Sequence, residues 1–204
     1  MSTNLGAIQS ELFSQKLRDK FEVYEWRHAI TILKHVFTQE FDEIDEVLSN
    51  FELRKSSIVA GGGGKSKVSG YIDGELYSRD WTEKQFKTSV KVDEEEFITP
   101  THKVDCVKGK IALDIEWNNK TEFYDRDLNN FRLLYNLKAI SLGIIVTRTT
   151  RLQTEIFKPL GIAGKYGSST THLNKLLPKI DGDSAAGCPL IVFAVKPEAY
   201  VNDM

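Results

Sequence analysis

The stretch Asp105-Cys-Val-Lys-Gly-Lys-Ile-Ala-Leu-Asp-Ile-Glu116 constrains this chain more than any other. From Lys110 to Glu116 the residues alternate, with Ile111, Leu113 and Ile115 on one face and Lys110, Ala112, Asp114 and Glu116 on the other. That period of two is the mark of a half-buried β-strand. Lys108-Gly109 reads as the turn before it. A hairpin folded symmetrically about that dipeptide sets Asp105 opposite Ala112, on the same face as Asp114 and diagonal to it at roughly 7–8 Å. Ala112 leaves room between the two acids. Three carboxylates so close repel one another, and each is costly to desolvate. The pattern therefore points to a shared cation, and hard oxygen ligands favour Mg²⁺ over zinc. The plainer reading of the same residues is a solvated strand face, with Lys103, Lys108 and Lys110 present for solubility.

The residues downstream of Glu116 favour the first reading. Trp117-Asn118-Asn119-Lys120 is an amide-rich turn, and Asp127–Leu142 reads as a helix through Leu128, Phe131, Leu134, Tyr135 and Lys138. Gly143 is expected to stop that helix, and Ile144-Ile145-Val146-Thr147 to form a short apolar strand. Upstream, Phe37, Phe41, Ile44, Val47 and Leu48 recur at helical spacing and predict a helix over Phe37–Phe51 with an acidic outer face. Arg27–Phe37, with Ile30, Leu33 and Val36, joins it as a helix or a strand. Hairpin, helix and buried strand in succession imply an α/β fold, a central mixed β-sheet flanked by α-helices. At 204 residues and 41% hydrophobic, residues 1–204 are expected to form a single domain with one core.

The order Asp105, eight residues, then Asp114-Ile115-Glu116, a helix and an apolar strand resembles the metal-binding core of the PD-(D/E)xK nucleases. More narrowly it resembles the type II restriction endonucleases related to BglII, BstYI and BamHI. Phe21-Glu-Val-Tyr-Glu and the segment down to Phe41-Asp-Glu-Ile-Asp-Glu-Val-Leu48 are similar to the amino-terminal region of the BstYI-like enzymes. Cys188-Pro-Leu-Ile-Val-Phe-Ala-Val195, with Glu198-Ala199-Tyr200 after it, looks like the last core strand of the BamHI and BstYI group.

The resemblance implies a restriction-endonuclease-like core in which Asp105, Asp114 and the Ile115 carbonyl bind Mg²⁺, one or two ions per site. Glu116 stands where most of the superfamily has Lys, and it would be a second-metal ligand or orient the attacking water. The run Glu94, Glu95 and Glu96 is either an extra ligand source or a solvated loop. The implied activity is hydrolysis of phosphodiester bonds at a short palindromic site in double-stranded DNA by a homodimer. A two-fold protein matches a palindrome, and a companion DNA methyltransferase acting on the same site is part of the implied system. A repair-type or non-specific nuclease, and a non-catalytic DNA-binding protein of the same fold, are the alternatives.

For DNA contact the resemblance points to Asn119, three residues after Glu116. An Asn amide can bond an adenine edge bidentately, and Asn118 and Lys120 adjoin it. The hydroxyl-rich run Ser168-Ser-Thr-Thr-His172 reads as a recognition loop or a plain turn. Arg148 and Arg151 come after the expected strand, where they would reach phosphate or guanine, or pair with surface acids.

Ala60-Gly-Gly-Gly-Gly-Lys-Ser66 ends like a nucleotide-binding loop, but Val59 stands where the first glycine belongs and Val68–Gly74 reads as turn rather than helix. Residues 60–70 are instead expected to be a flexible loop bringing Lys65 and Lys67 to DNA. The formal charge of −2 argues against indiscriminate DNA coating. Two cysteines and four histidines lack zinc-ligand spacing, and two unpaired cysteines suit a reducing cytoplasm. No apolar run long enough for a membrane span is present.

Overall fold

The computed structural model describes residues 11–60 and 65–204. In chain order the elements are α1 (Gln15–Lys20), β1 (Phe21–Trp26), α2 (Ala29–Val36), α3 (Thr38–Asn50), β2 (Leu53–Arg54), α4 (Lys55–Val59) and α5 (Lys67–Tyr77). They continue through β3 (Thr82–Val92), β4 (Glu95–Lys108), β5 (Ile111–Ile115), α6 (Glu122–Asn136), β6 (Leu142–Arg148), α7 (Leu173–Asp181), β7 (Leu190–Val195) and β8 (Tyr200–Val201). A π-helical turn at Gln153–Phe157 lies between β6 and α7.

Six strands form one mixed sheet in the order β1-β7-β6-β5-β4-β3. β5, β6 and β7 pair in parallel, and the strands to either side join them antiparallel. The central strands are buried along their whole length, which explains the unbroken apolar run Leu190-Ile-Val-Phe-Ala-Val195: a strand covered on both faces has no polar side to alternate with. β5 keeps its alternation, but each face meets a different half of the core rather than water. Ile111, Leu113 and Ile115 belong to one core cluster with residues of α1, α2, α3 and α5, while Ala112 belongs to a second with Leu128 and Phe131 of α6 and Leu176 of α7. Helices therefore flank the sheet on both sides, as an α/β fold requires.

Three expectations are corrected. The hairpin turn is Gly109-Lys110, one residue later than expected, since Lys108 pairs with Ile111 and Val107 with Ala112. Gly109 has φ +55°, and a two-residue hairpin turn accepts that conformation at its first central position mainly from glycine. The helix after the hairpin runs Glu122–Asn136 rather than Asp127–Leu142, and Lys138 leaves it with φ +58°. Gly143 is no stop signal: it lies inside β6, where the Phe131 ring of α6 packs against it so closely that a Cβ would stand 2.5 Å from that ring.

A further correction concerns the glycine-rich segment. Residues 61–64 lie outside the described residues, but the chain beyond them is not loop. Ser66 caps α5, accepting from the Ser69 N–H at 2.9 Å, and Val68, Ile72 and Leu76 form its buried stripe. A Ser cap followed by apolar residues every four positions outweighs the two helix glycines, Gly70 and Gly74. A nucleotide-binding loop is still ruled out, because a helix, α4, precedes the segment where that motif has a strand.

Candidate active site

The register of β4 on β5, continued by one residue, places Asp105 directly across from Asp114 rather than diagonal to it. Each carboxylate reaches the other strand's backbone. Asp114 Oδ1 accepts from the Asp105 N–H at 2.9 Å, and Asp105 Oδ2 accepts from the Ile115 N–H at 2.9 Å. Asp114 is 2% exposed and its Oδ2 has no hydrogen-bond partner. Burial, with the charges of Asp127 and Asp105 added, holds the Asp114 carboxyl well above the usual carboxylate range. Asp105 is half-buried, and burial raises it too.

Glu116 follows β5 and is also buried. Asn119 Nδ2 donates to its Oε2 at 2.7 Å, and Arg126 Nη2 donates to its Oε1 at 3.2 Å. Burial first, and the neighbouring Asp127 charge second, push the Glu116 carboxyl up to about 9. Asp127 comes from α6, is 1% exposed, and takes the Arg126 guanidinium on its Oδ1 at 2.7 Å. Its Oδ2 is unpartnered, and burial raises its pKa as well. The site thus holds four carboxylates, one more than the strand pattern indicates. Reading the sequence does not single out Arg126 or Asp127, because a helix begun at Asp127 leaves out the first turn, Glu122–Asp125, and with it the placement of the following residues over the acids. The available signal is faint: an Arg-Asp pair soon after the acidic strand.

Among the described residues no three His, Cys, Asp or Glu side chains form a ready-made metal group. Each Glu116 oxygen accepts one hydrogen bond, from Asn119 or Arg126. Asp105 and Asp114 remain as a two-carboxylate set with a buried, unpartnered oxygen between sheet and helix. Two carboxylates completed by a carbonyl and waters suit a small hard cation, so the residues present fit Mg²⁺.

A cleft of about 620 Å³ opens beside these groups, lined by Lys65, Lys67, Asp105, Glu116, Asn118, Asn119 and Arg126 among others. Lys65 forms an ion pair with the buried Asp73 of α5. Glu94, Glu95 and Glu96 lie at the exposed end of the β3–β4 hairpin, and the carboxylates from those two strands that line the cleft are Glu83 and Asp105.

The amide-rich turn and the hydroxyl-rich loop, about 50 residues apart in sequence, lie side by side. Asn119 and Thr171 are joined twice, N–H to Oγ1 at 3.2 Å and Thr171 N–H to the Asn119 carbonyl at 2.9 Å. Lys120 bridges Thr170, and Asn118 Nδ2 donates to the Lys165 carbonyl at 3.1 Å. Ser168, Ser169 and Lys120 are exposed or half-buried, whereas Thr171 and His172 are buried. His172 Nδ1 meets the Thr150 hydroxyl at 3.0 Å, and burial lowers its pKa.

Arg148 corrects an expectation. It does not stand at the surface to meet phosphate or guanine: it is 1% exposed, its guanidinium near the stacked rings of Phe157 and Tyr166. Its Nη2 donates to Thr170 Oγ1 at 2.9 Å, which pins the hydroxyl-rich loop from beneath. No carboxylate pairs with it among the described residues, and burial lowers its pKa to about 10. The strand ends at Arg148, and its side chain is buried against that loop, a tertiary arrangement no local pattern encodes. Arg151 is at the surface and is tied to Glu155 at 2.9 Å and Glu198 at 3.0 Å.

A family model for the restriction endonuclease BglII/BglIII matches residues 21–195. The chain belongs to that family. The match runs from the first residue of β1 to the last of β7, so it takes in the whole six-stranded sheet and the acidic hairpin. Among curated proteins, none matches the chain. As a member of the BglII/BglIII family it is a nuclease acting on double-stranded DNA, and no helix among the described residues is long and apolar enough to cross a membrane.

Proposed function

We propose that this member of the BglII/BglIII family is a type II restriction endonuclease, hydrolysing phosphodiester bonds at a short palindromic site in double-stranded DNA with Mg²⁺. The observation that carries the reading is the Asp105–Asp114 pair, two carboxylates locked face to face by each other's backbone at the edge of a cleft that also presents Lys65, Lys67 and Arg126. Asp105, Asp114 and the Ile115 carbonyl would hold the ion. Bound there, Mg²⁺ supplies an acidified water and a positive charge for the phosphate oxygens.

The rest is done by this chain's own groups. Glu116, fixed between Asn119 and Arg126, retains lone pairs on both oxygens and holds the attacking water in line. Lys65 and Lys67 neutralise phosphates along the strand. The side chains of Lys120, Ser168 and Ser169 read base edges from the joined turn and loop, while Asn118, Thr170, Thr171 and His172 hold that surface in shape. Arg148 supports the same loop from inside, and Arg151 braces its own surface pairs. The working unit is a homodimer, each subunit cutting one strand, and a methyltransferase of matching specificity protects the host's own sites.

The test is a digest of a fully sequenced, unmethylated phage-sized DNA with Mg²⁺ beside a chelator control. Discrete fragments that require Mg²⁺ are expected, and their mapped ends give the site. A smear would replace the reading with a non-specific nuclease, and the same fragments in chelator would remove the metal.

A further inference from the structure

Arg126 occupies an unusual position among the cations of the cleft. Lys65 is paired with buried Asp73 of α5, and Lys165 spends its ammonium on the Ile58 and Ala60 carbonyls. Arg126 bonds the acids of the site itself. Its Nε and Nη2 hold Asp127 Oδ1 at 2.8 and 2.7 Å, and Nη2 also reaches Glu116 at 3.2 Å. The Phe123 ring lies 4.3 Å from the guanidinium carbon and supports its face. Nη1 donates no hydrogen bond among the described residues, and the side chain keeps 29% of its surface open and lines the cleft. A guanidinium anchored through Nε and Nη2, with Nη1 unengaged among the described residues and the side chain lining a cleft, is pre-organised for an oxyanion.

The charge balance makes the same demand. Asp105 and Glu116 line the cleft a phosphodiester, itself anionic, would enter, and the buried Asp114 and Asp127 add their charge to theirs. A cation fixed among them offsets the repulsion and stabilises the charge that grows on the phosphate oxygens during hydrolysis.

We propose that Arg126, mounted on Asp127, is a catalytic residue that donates from Nη1 to a non-bridging oxygen of the phosphate being cut. The inference rests on the nuclease reading above and deepens it. Asp127 is the positioning residue, buried beneath the guanidinium and acting on DNA only through it.

The experiment begins with the wild-type digest, which maps the cut bond. Single-turnover rates of Arg126→Gln and Arg126→Lys are then compared, with melting temperatures as a folding control. Binding is measured in Ca²⁺ for duplexes carrying either the natural phosphate or a neutral methylphosphonate at the mapped bond. Arg126→Gln is expected to slow cleavage by about 10²–10³-fold and Arg126→Lys to recover part of that loss. The wild type's binding preference for phosphate over methylphosphonate should shrink at least about tenfold in Arg126→Gln, a change that a purely structural role would not produce. An unchanged preference, or a wild-type cleavage rate in Arg126→Gln, overturns the assignment and leaves the nuclease reading standing. Absence of wild-type cleavage removes the nuclease reading and this inference with it. Should Arg126→Gln fail to fold because Asp127 is left bare, the double variant Arg126→Gln/Asp127→Asn removes both charges and is judged by the same two measurements.

Discussion

Asp114 shows how a buried cluster of carboxylates strains the protein that carries it. Its carboxylate is enclosed beside three other acids, and one oxygen has no partner, so the charged form is disfavoured until a counter-charge arrives. Asp114→Asn keeps the side chain's shape and removes that burden. It is expected to raise the melting temperature of the metal-free protein near pH ~8 while abolishing Mg²⁺-dependent cleavage, the opposition of stability and activity common at functional sites. An unchanged or lower melting temperature would show that the acids are compensated in some other way. Glu116 sets the pH dependence. Its folded-state pKa is raised from 4.5 to about 9, so the folded state binds the extra proton across that interval. The stability this provides is complete below about 4.5 and is lost as pH rises to about 9. Thermal melts of metal-free protein should therefore fall from about pH 6 to about pH 9, more steeply in wild type than in Glu116→Gln, and added Mg²⁺ should reduce the fall.

At the scale of elements, the active site depends on how closely α6 approaches β6. Gly143 lets the Phe131 ring sit where a Cβ would be, and the same helix carries Asp127 and Arg126 over the acidic strand. Gly143→Ala forces the ring and helix outward. A loss of about 1–3 kcal/mol is expected, read as a drop in the denaturation midpoint, and cleavage should weaken with it because Asp127 moves with the helix. A midpoint equal to wild type would mean that Phe131 finds another rotamer without moving α6. The hairpin turn works in a similar way: Gly109 in a positive-φ conformation sets the two-residue turn, and that turn sets which residue faces Asp114. A turn displaced by one residue re-pairs every residue of the hairpin by two.

For the whole molecule, two segments far apart in sequence make one surface. The turn 118–121 and the loop 165–172 are laced by backbone hydrogen bonds and supported by the buried Arg148. On the proposed function, one such surface beside one set of acids serves one half of a palindrome, so the protein at micromolar concentration is expected to sediment at twice the chain mass. A monomer both alone and bound to a cognate duplex would displace the two-fold arrangement and favour a protein that nicks or reads asymmetric sites.

The residues of the acidic strand, its alternation and the amphipathic helix, expected over Phe37–Phe51 and formed over Thr38–Asn50, are legible in the sequence because each is a local pattern of side chains with a fixed period, whereas the strand at Leu190–Val195 is expected from the family resemblance. The α/β class followed from their order. Tertiary structure decided the rest: that Asp105 faces Asp114, that Asp127 and Arg126 complete the site from a neighbouring helix, and that Arg148 is buried beneath the hydroxyl-rich loop. Those outcomes depend on which surfaces meet across the sheet and on what a carboxylate or guanidinium finds there. A carboxylate's charge state and a side chain's reach are set by neighbours distant in sequence, so no spacing along the chain specifies them.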